Sequence, residues 1–175
     1  VVVGEPTGMQ VINAHKGKLS MRAEVRGLSC HSALAPQGVN AVQAAARLAV
    51  KLAEMAERKA SEGPFDRAFD VPHTTVHAGV LHGGTALNIV PSEATLDFEV
   101  RNLPDDDPHA LMDEAMRYAR ERIEPAMHAI DPSTGFSFHE LSHFPALDTP
   151  PDAELVTLAK ALAQANDTGK VAFGT

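Results

Sequence analysis

Cysteine and tyrosine each occur once in these 175 residues and tryptophan never. Nor does any run of lysines and arginines exceed the Arg58-Lys59 pair. A single cysteine, Cys30, cannot form an internal disulfide, which excludes a disulfide-stapled scaffold and makes a reducing, cytoplasmic setting the expectation. A formal net charge of −8 without a basic patch or interleaved aromatics argues against a nucleic-acid surface. No apolar run approaches the roughly 20 residues that a helix needs to cross a bilayer. Repeats, low-complexity tracts and targeting segments are also missing. What remains is 44% hydrophobic and 22% charged, enough for one good core in a globular protein.

Periodicity places the elements. Lys18 to Arg26 alternates without a break, with Leu19, Met21, Ala23 and Val25 on one side, and reads as a half-buried strand. A loop shaped by Pro36 and Gly38 follows, and then Asn40 as the N-cap of a helix ending near Gly63-Pro64. The expected apolar stripe of that helix is Val42, Ala45, Ala49, Leu52, Ala53 and Ala56. Strands are expected at about 74–81, closed by Gly83-Gly84, and from Glu93 to Arg101 with Ala94, Leu96, Phe98 and Val100 inward. Asp105-Asp-Asp-Pro108 starts a second helix, whose apolar face runs through Leu111, Met112, Ala115, Met116, Ala119 and Ile123. A strand containing Phe136 and Phe138 completes the order β-α-β-β-α-β, the split arrangement of two helices over one antiparallel sheet, an α+β ferredoxin-like fold. Beyond Pro150-Pro151 a helix at about 152–164 is expected. Val1 to Gly4 reads as a buried strand entered without a start methionine, and Lys170 to Thr175 as a strand that stops at a loop. Both edges suggest a piece of a longer protein.

Most of the nine histidines do not read as ligands. His73 and His77 are four apart, roughly 13 Å along an extended chain, too far to share one ion. His109, His128, His139 and His143 lack a cysteine or carboxylate at ligand spacing, and His82 abuts Gly83-Gly84. His31 differs because it sits in a Gly- and Pro-shaped loop between strand and helix, where chemistry tends to gather. Its local sequence allows either a histidine bonded to a backbone carbonyl or a donor to a developing oxyanion. Glu5, just before Pro6, reads as a turn-capping acid or as a carboxylate at the end of a sheet. Asn88 is a plain loop residue or an amide donor. Arg101, at a strand end, either pairs with Glu99 or Asp97 or grips a substrate carboxylate with two hydrogen bonds.

Four ordered motifs carry a resemblance across nearly the whole chain: Gly4-Glu5-Pro6-Thr7, Gly27-x-x-x-His31-Ser32-x-x-x-Pro36, Gly83-Gly84-Thr85-Ala86-Leu87-Asn88 through Arg101, and the closing Gly174-Thr175. In these the sequence resembles the zinc aminoacylase/carboxypeptidase family, the M20-type metallopeptidases. Ala14-His15-Lys16-Gly17 and Gly38-Val39-Asn40-Ala41 are most like its acetylornithine deacetylase branch. The resemblance implies residues 14–144 as a lid and dimerisation domain, with 1–13 and 145–175 as pieces of an α/β catalytic domain. It implies removal of the acetyl group from N2-acetylornithine, a step of arginine biosynthesis, by a water that two zinc ions activate. Cobalt can stand in for zinc there.

In that family the glutamate matching Glu5 ligates one zinc, and the histidine matching His31 stabilises the oxyanion from across a dimer. The residues matching Asn88, Arg101 and Thr175 meet substrate, the arginine at the free α-carboxylate. The remaining metal ligands and the general base are then expected before Val1 and after Thr175. A homodimer through the lid is expected, because a four-stranded sheet leaves edges to cover. Two other readings stay open: succinyl-diaminopimelate desuccinylase, and a non-catalytic dimerisation and ligand-binding module.

Overall fold

The structure is a computed structural model describing residues 2–4 and 6–173. Its main body is one four-stranded sheet covered on one face by helices. Strand β2 (Lys18–Arg26) leads through a short 3-10 turn at Ser32–Gln37 into helix α1 (Ala41–Glu62). Strands β3 (Thr75–Gly83) and β4 (Glu93–Arg101) follow, then helix α2 (Pro108–Tyr118), which continues through a π-helical turn at Ala119–Ile123 into α3 (Glu124–His128). Strand β5 (Gly135–Phe144) closes the unit. The order across the sheet is β3-β4-β2-β5, with every neighbouring pair antiparallel. Strands β2 and β3, joined through α1, thus run parallel with β4 between them. This is the split β-α-β arrangement that the sequence pattern implies.

The alternation in β2 and β4 sends Leu19, Met21, Ala23 and Val25, and Ala94, Leu96, Phe98 and Val100, onto the helix side, where all are buried. They meet Ala41, Ala44, Ala45, Leu48, Leu52 and Met55 of α1 and Leu111, Met112 and Ala115 of α2. Leu48, Leu52 and Leu96 are essentially sealed from water, each worth roughly 1.5–3 kcal/mol of burial. The stripe on α1 is rotated from the expected one: Ala44, Leu48 and Met55 are buried while Ala53 is exposed. The sheet and α2 both cover α1, so its buried face is set by two neighbours and not by composition alone. As expected, Asn40 caps α1, its Oδ1 accepting from the Gln43 N–H at 2.9 Å. Asp107 does the same for α2, accepting from His109 N–H at 2.8 Å.

A second, smaller sheet has the order β6-β1-β7, built from Val11–His15 (β1), Leu147–Asp148 (β6) and Thr168–Val171 (β7). Helix α4 (Glu154–Ala163) packs on β1. Sequence periodicity missed β1 and β6: β1 does not alternate, and β6 is two residues long. Of the buried strand expected over Val1 to Gly4, Val1 lies outside the described residues, and the rest does not form one. Val2 to Gly4 lie outside the sheets, and Val2 and Val3 are 69% and 67% exposed, because none of the described strands lies beside them to take their backbone hydrogen bonds. Strand β7 starts at Thr168 and ends at Val171, and Phe173 lies beyond it.

The two sheets meet at the start of β2 and the end of β4. Gly17 and Asn102 exchange backbone bonds of 2.9 and 3.2 Å, and Ala14, Phe69 and Leu103 form a small apolar cluster beneath. Lys16, 2% exposed, donates its ammonium to the His73 carbonyl, and burial holds its pKa below the ordinary lysine value.

Candidate functional site

Two loops come together beyond the parallel ends of β2 and β3. Leaving β2, the chain doubles back so that Leu28 and Val39 exchange both backbone bonds at 2.9 Å. Glycine is required twice: a Cβ on Gly27 would overlap the Val39 carbonyl oxygen, and one on Gly38 would lie 2.7 Å from Cys30 Sγ. The second loop runs from Gly84 to Pro91 and is strapped to the first. The Ser32 N–H donates to the Asn88 carbonyl at 2.9 Å and the Val90 N–H to the Cys30 carbonyl at 2.8 Å, bracketing a bridge between His31 and Ile89. The Ala41 N–H donates to the Pro91 carbonyl at 2.9 Å, tying the same strap to the start of α1.

His31 and Asn88, nominated separately from sequence, are therefore neighbours, and both side chains are exposed. Sequence reasoning did not join their loops, although both follow the parallel strands of a split β-α-β unit and so emerge at one sheet end. It also missed Leu87 and Ile89, exposed apolar residues flanking Asn88. His31 Nδ1 accepts from the Ala33 N–H at 3.1 Å, so its backbone partner is a donor and not the carbonyl considered from sequence.

Arg101 is not part of this group. It ends β4 opposite Thr75, eight residues from Glu93 at the loop end, roughly 26 Å along the strand. Its Nε donates to Glu99 Oε1 at 2.9 Å, so one of its two expected pairings is present. Asp97 is engaged elsewhere. Arg22 grips it through two bonds of 2.7 Å, and those bonds hold the Asp97 carboxyl below its usual pKa.

Glu5 and Thr175 lie outside the described residues. Among the described residues no group of three or more His, Cys, Asp or Glu side chains is placed to hold a metal ion, so they do not by themselves form a metal centre. Two cavities among the described residues both lack His31 and Asn88 in their linings. One, of about 610 Å³, lies beside β1 and β7 and is lined by Asn13, Asp70, Asp148 and Lys170. The other, of about 200 Å³, sits behind the His31 loop against Arg47 and Ile123. His31 and Asn88 thus stand on an outer surface.

Residues 13–127 match the family model described as peptidase dimerisation domain. The chain belongs to the M20 peptidase family. Among curated M20 relatives, acetylornithine deacetylase of Myxococcus xanthus is 34% identical over 99% of this chain and 44% of its own length. That of Klebsiella pneumoniae is 30% identical over 92% and 40%. The chain therefore spans less than half the length of these relatives. Solved structures share the fold. Aminopeptidase PepT of Bacillus cereus aligns with TM-score 0.67 at 22% identity, over 94% of this chain and 40% of that one. A hydantoinase/carbamoylase-family amidase of Burkholderia vietnamiensis gives 0.69 at 16%, over 95% and 37%. Most like acetylornithine deacetylase, the chain carries the family's dimerisation fold, and none of its described helices is long and apolar enough to cross a membrane.

Proposed function

We propose that this chain is the lid and dimerisation part of a metal-dependent amide hydrolase that deacetylates N2-acetylornithine, its His31 and Asn88 completing the active site of a second copy. Residues 14–144 are the lid, while 1–13 and 145–175, which supply most of the small sheet, belong to the catalytic domain. Glu5 contributes one metal ligand there, and the other ligands come from parts of the parent that this chain does not span. Zinc is the metal proposed.

The observation supporting this reading is the separation of the candidate groups. His31 and Asn88 project from one end of the lid sheet. Arg101 stands at the other end, where the small sheet joins. A substrate of amino-acid size cannot bridge roughly 26 Å, so one protomer cannot bring its own His31 and Arg101 onto the same molecule. Two copies related by a twofold axis can, with Arg101 holding the α-carboxylate beside its own small sheet while the partner supplies an imidazole and an amide. At the scissile carbonyl, a preorganised N–H donor from His31 favours the tetrahedral oxyanion over the planar ground state, by on the order of 3 kcal/mol for a good donor. Strand β3 is an open edge with Val80 and Leu81 exposed, and pairing it with a symmetry mate would cover that edge.

Deacylation assays of the intact enzyme test the substrate. Faster turnover of N2-acetylornithine than of N-succinyl-diaminopimelate is expected, and the reverse order would move the chain to the desuccinylase branch. Sedimentation at micromolar concentration tests the assembly: a dimer is expected, and a strictly monomeric chain would sink the shared site. Dimer formation by an intact parent that hydrolyses no N-acyl amino acid would instead favour a non-catalytic binding module.

A further inference from the structure

We infer that the backbone N–H of Ala33 fixes the neutral His31 ring as its Nε2–H tautomer, so that the ring presents a hydrogen-bond donor, and not a lone pair, to the substrate. The inference rests on the reading of His31 as an oxyanion stabiliser and decides which of two chemistries its ring supplies. A backbone N–H can only donate. The Nδ1 that accepts from Ala33 therefore carries no proton, and in the neutral imidazole the one ring proton sits on Nε2. Rotating the ring by half a turn would set a carbon against the Ala33 N–H and leave that donor without an acceptor.

The ring is held through the main chain. His31 is the extended N-cap of the 3-10 turn, and its two neighbours are pinned, Cys30 through its carbonyl to Val90 and Ser32 through its N–H to Asn88. A histidine that serves as general base has the opposite arrangement: its Nδ1–H donates to a carboxylate or carbonyl, which leaves the Nε2 lone pair free to take a proton. Here the Nδ1 lone pair is occupied and Nε2 is already protonated, so the neutral ring has no lone pair to offer a substrate or a water. No carboxylate pairs with His31 among the described residues. Ala33 N–H is a positioning group in this scheme, acting on the substrate only through the ring.

Two measurements on the protein decide it. In a histidine-¹⁵N-labelled sample held above the ordinary histidine titration range, the His31 resonances, assigned by their loss in His31→Gln, should show Nδ1 unprotonated and Nε2 protonated. The reverse pattern, or two averaged shifts from a freely exchanging ring, overturns the inference. In the intact enzyme His31→Gln, whose amide N–H₂ lies near the position of Nε2, should keep turnover at least tenfold above His31→Asn, whose amide lies near that of Nδ1. Equal losses in the two variants would contradict a donor at Nε2. A His31→Ala enzyme with unchanged turnover would overturn the reading on which the inference rests, and the ring shifts would then still report the tautomer separately.

Discussion

The two ends of the four-stranded sheet are built for different work. At the joining end Lys16 and Asn102 are buried, Arg101, Lys18 and Glu99 form an ion-paired group, and backbone bonds stitch the sheet to its smaller neighbour. At the loop end His31 and Asn88 are exposed, and the ion pairs found among the described residues do not involve them. Yet backbone bonds tie their two loops together across the His31–Ile89 bridge. Exposure combined with a fixed backbone is what a group needs when its partner belongs to another molecule, since ordering the loop at the moment of binding would cost affinity.

The contrast can be sharpened or broken by substitution. The largest effect is expected from His31→Ala in the intact enzyme: turnover should fall about 10²–10³-fold, the loss of one oxyanion donor, with stability lowered by no more than about 1 kcal/mol, the loss of the cap on the Ala33 N–H, because the ring is otherwise exposed. A matched drop in stability would show a structural residue instead. Leu48→Ala should do the reverse, costing about 2–5 kcal/mol in urea unfolding while any enzyme that still folds keeps its KM. Gly38→Ala lies between the two. The new methyl presses on Cys30 Sγ and the Leu28 carbonyl, so about 1–3 kcal/mol of stability and most of the turnover should go together. Asn40→Ala, which removes only the α1 cap, should cost about 1 kcal/mol and leave turnover nearly intact.

The smallest effect concerns acid. The bonds from Arg22 depress the folded-state pKa of Asp97, so its contribution is present above the unfolded carboxylate value of about 4 and is lost as pH falls through the lower folded value. Asp97→Asn should therefore be slightly less stable than the wild type near neutrality, the gap kept small by solvent screening of a pair so near the surface. The gap should close as melting is followed into acid. A gap that widened there would reverse the sign of the linkage.

Much of the lid was legible because its signals are local. Unbroken alternation in β2 and β4, the Asn40 cap and Pro108 after Asp107 each specify an element within a few residues. The order of those elements then leaves few topologies. The rotated stripe of α1 was not legible, because several alanines fit either face and the choice falls to α2. Nor was β6, whose two residues carry no period. Of the site, His31 and Asn88 were found one at a time by residue type, but their pairing is a property of the topology and Arg101's distance from them a property of strand length. Val2 and Val3 failed as a strand because apolar composition does not supply a neighbour to pair with.

Mixing two damaged enzymes tests the shared site most directly. His31→Ala and Arg101→Ala protomers, each nearly inactive alone, are dissociated together and allowed to re-pair at random. If His31 serves the partner's site and Arg101 its own, half the dimers carry one intact site, and about a quarter of the wild-type rate should return. No recovery, with mixed dimers shown to have formed, would mean that both residues serve the same protomer and would contradict the account.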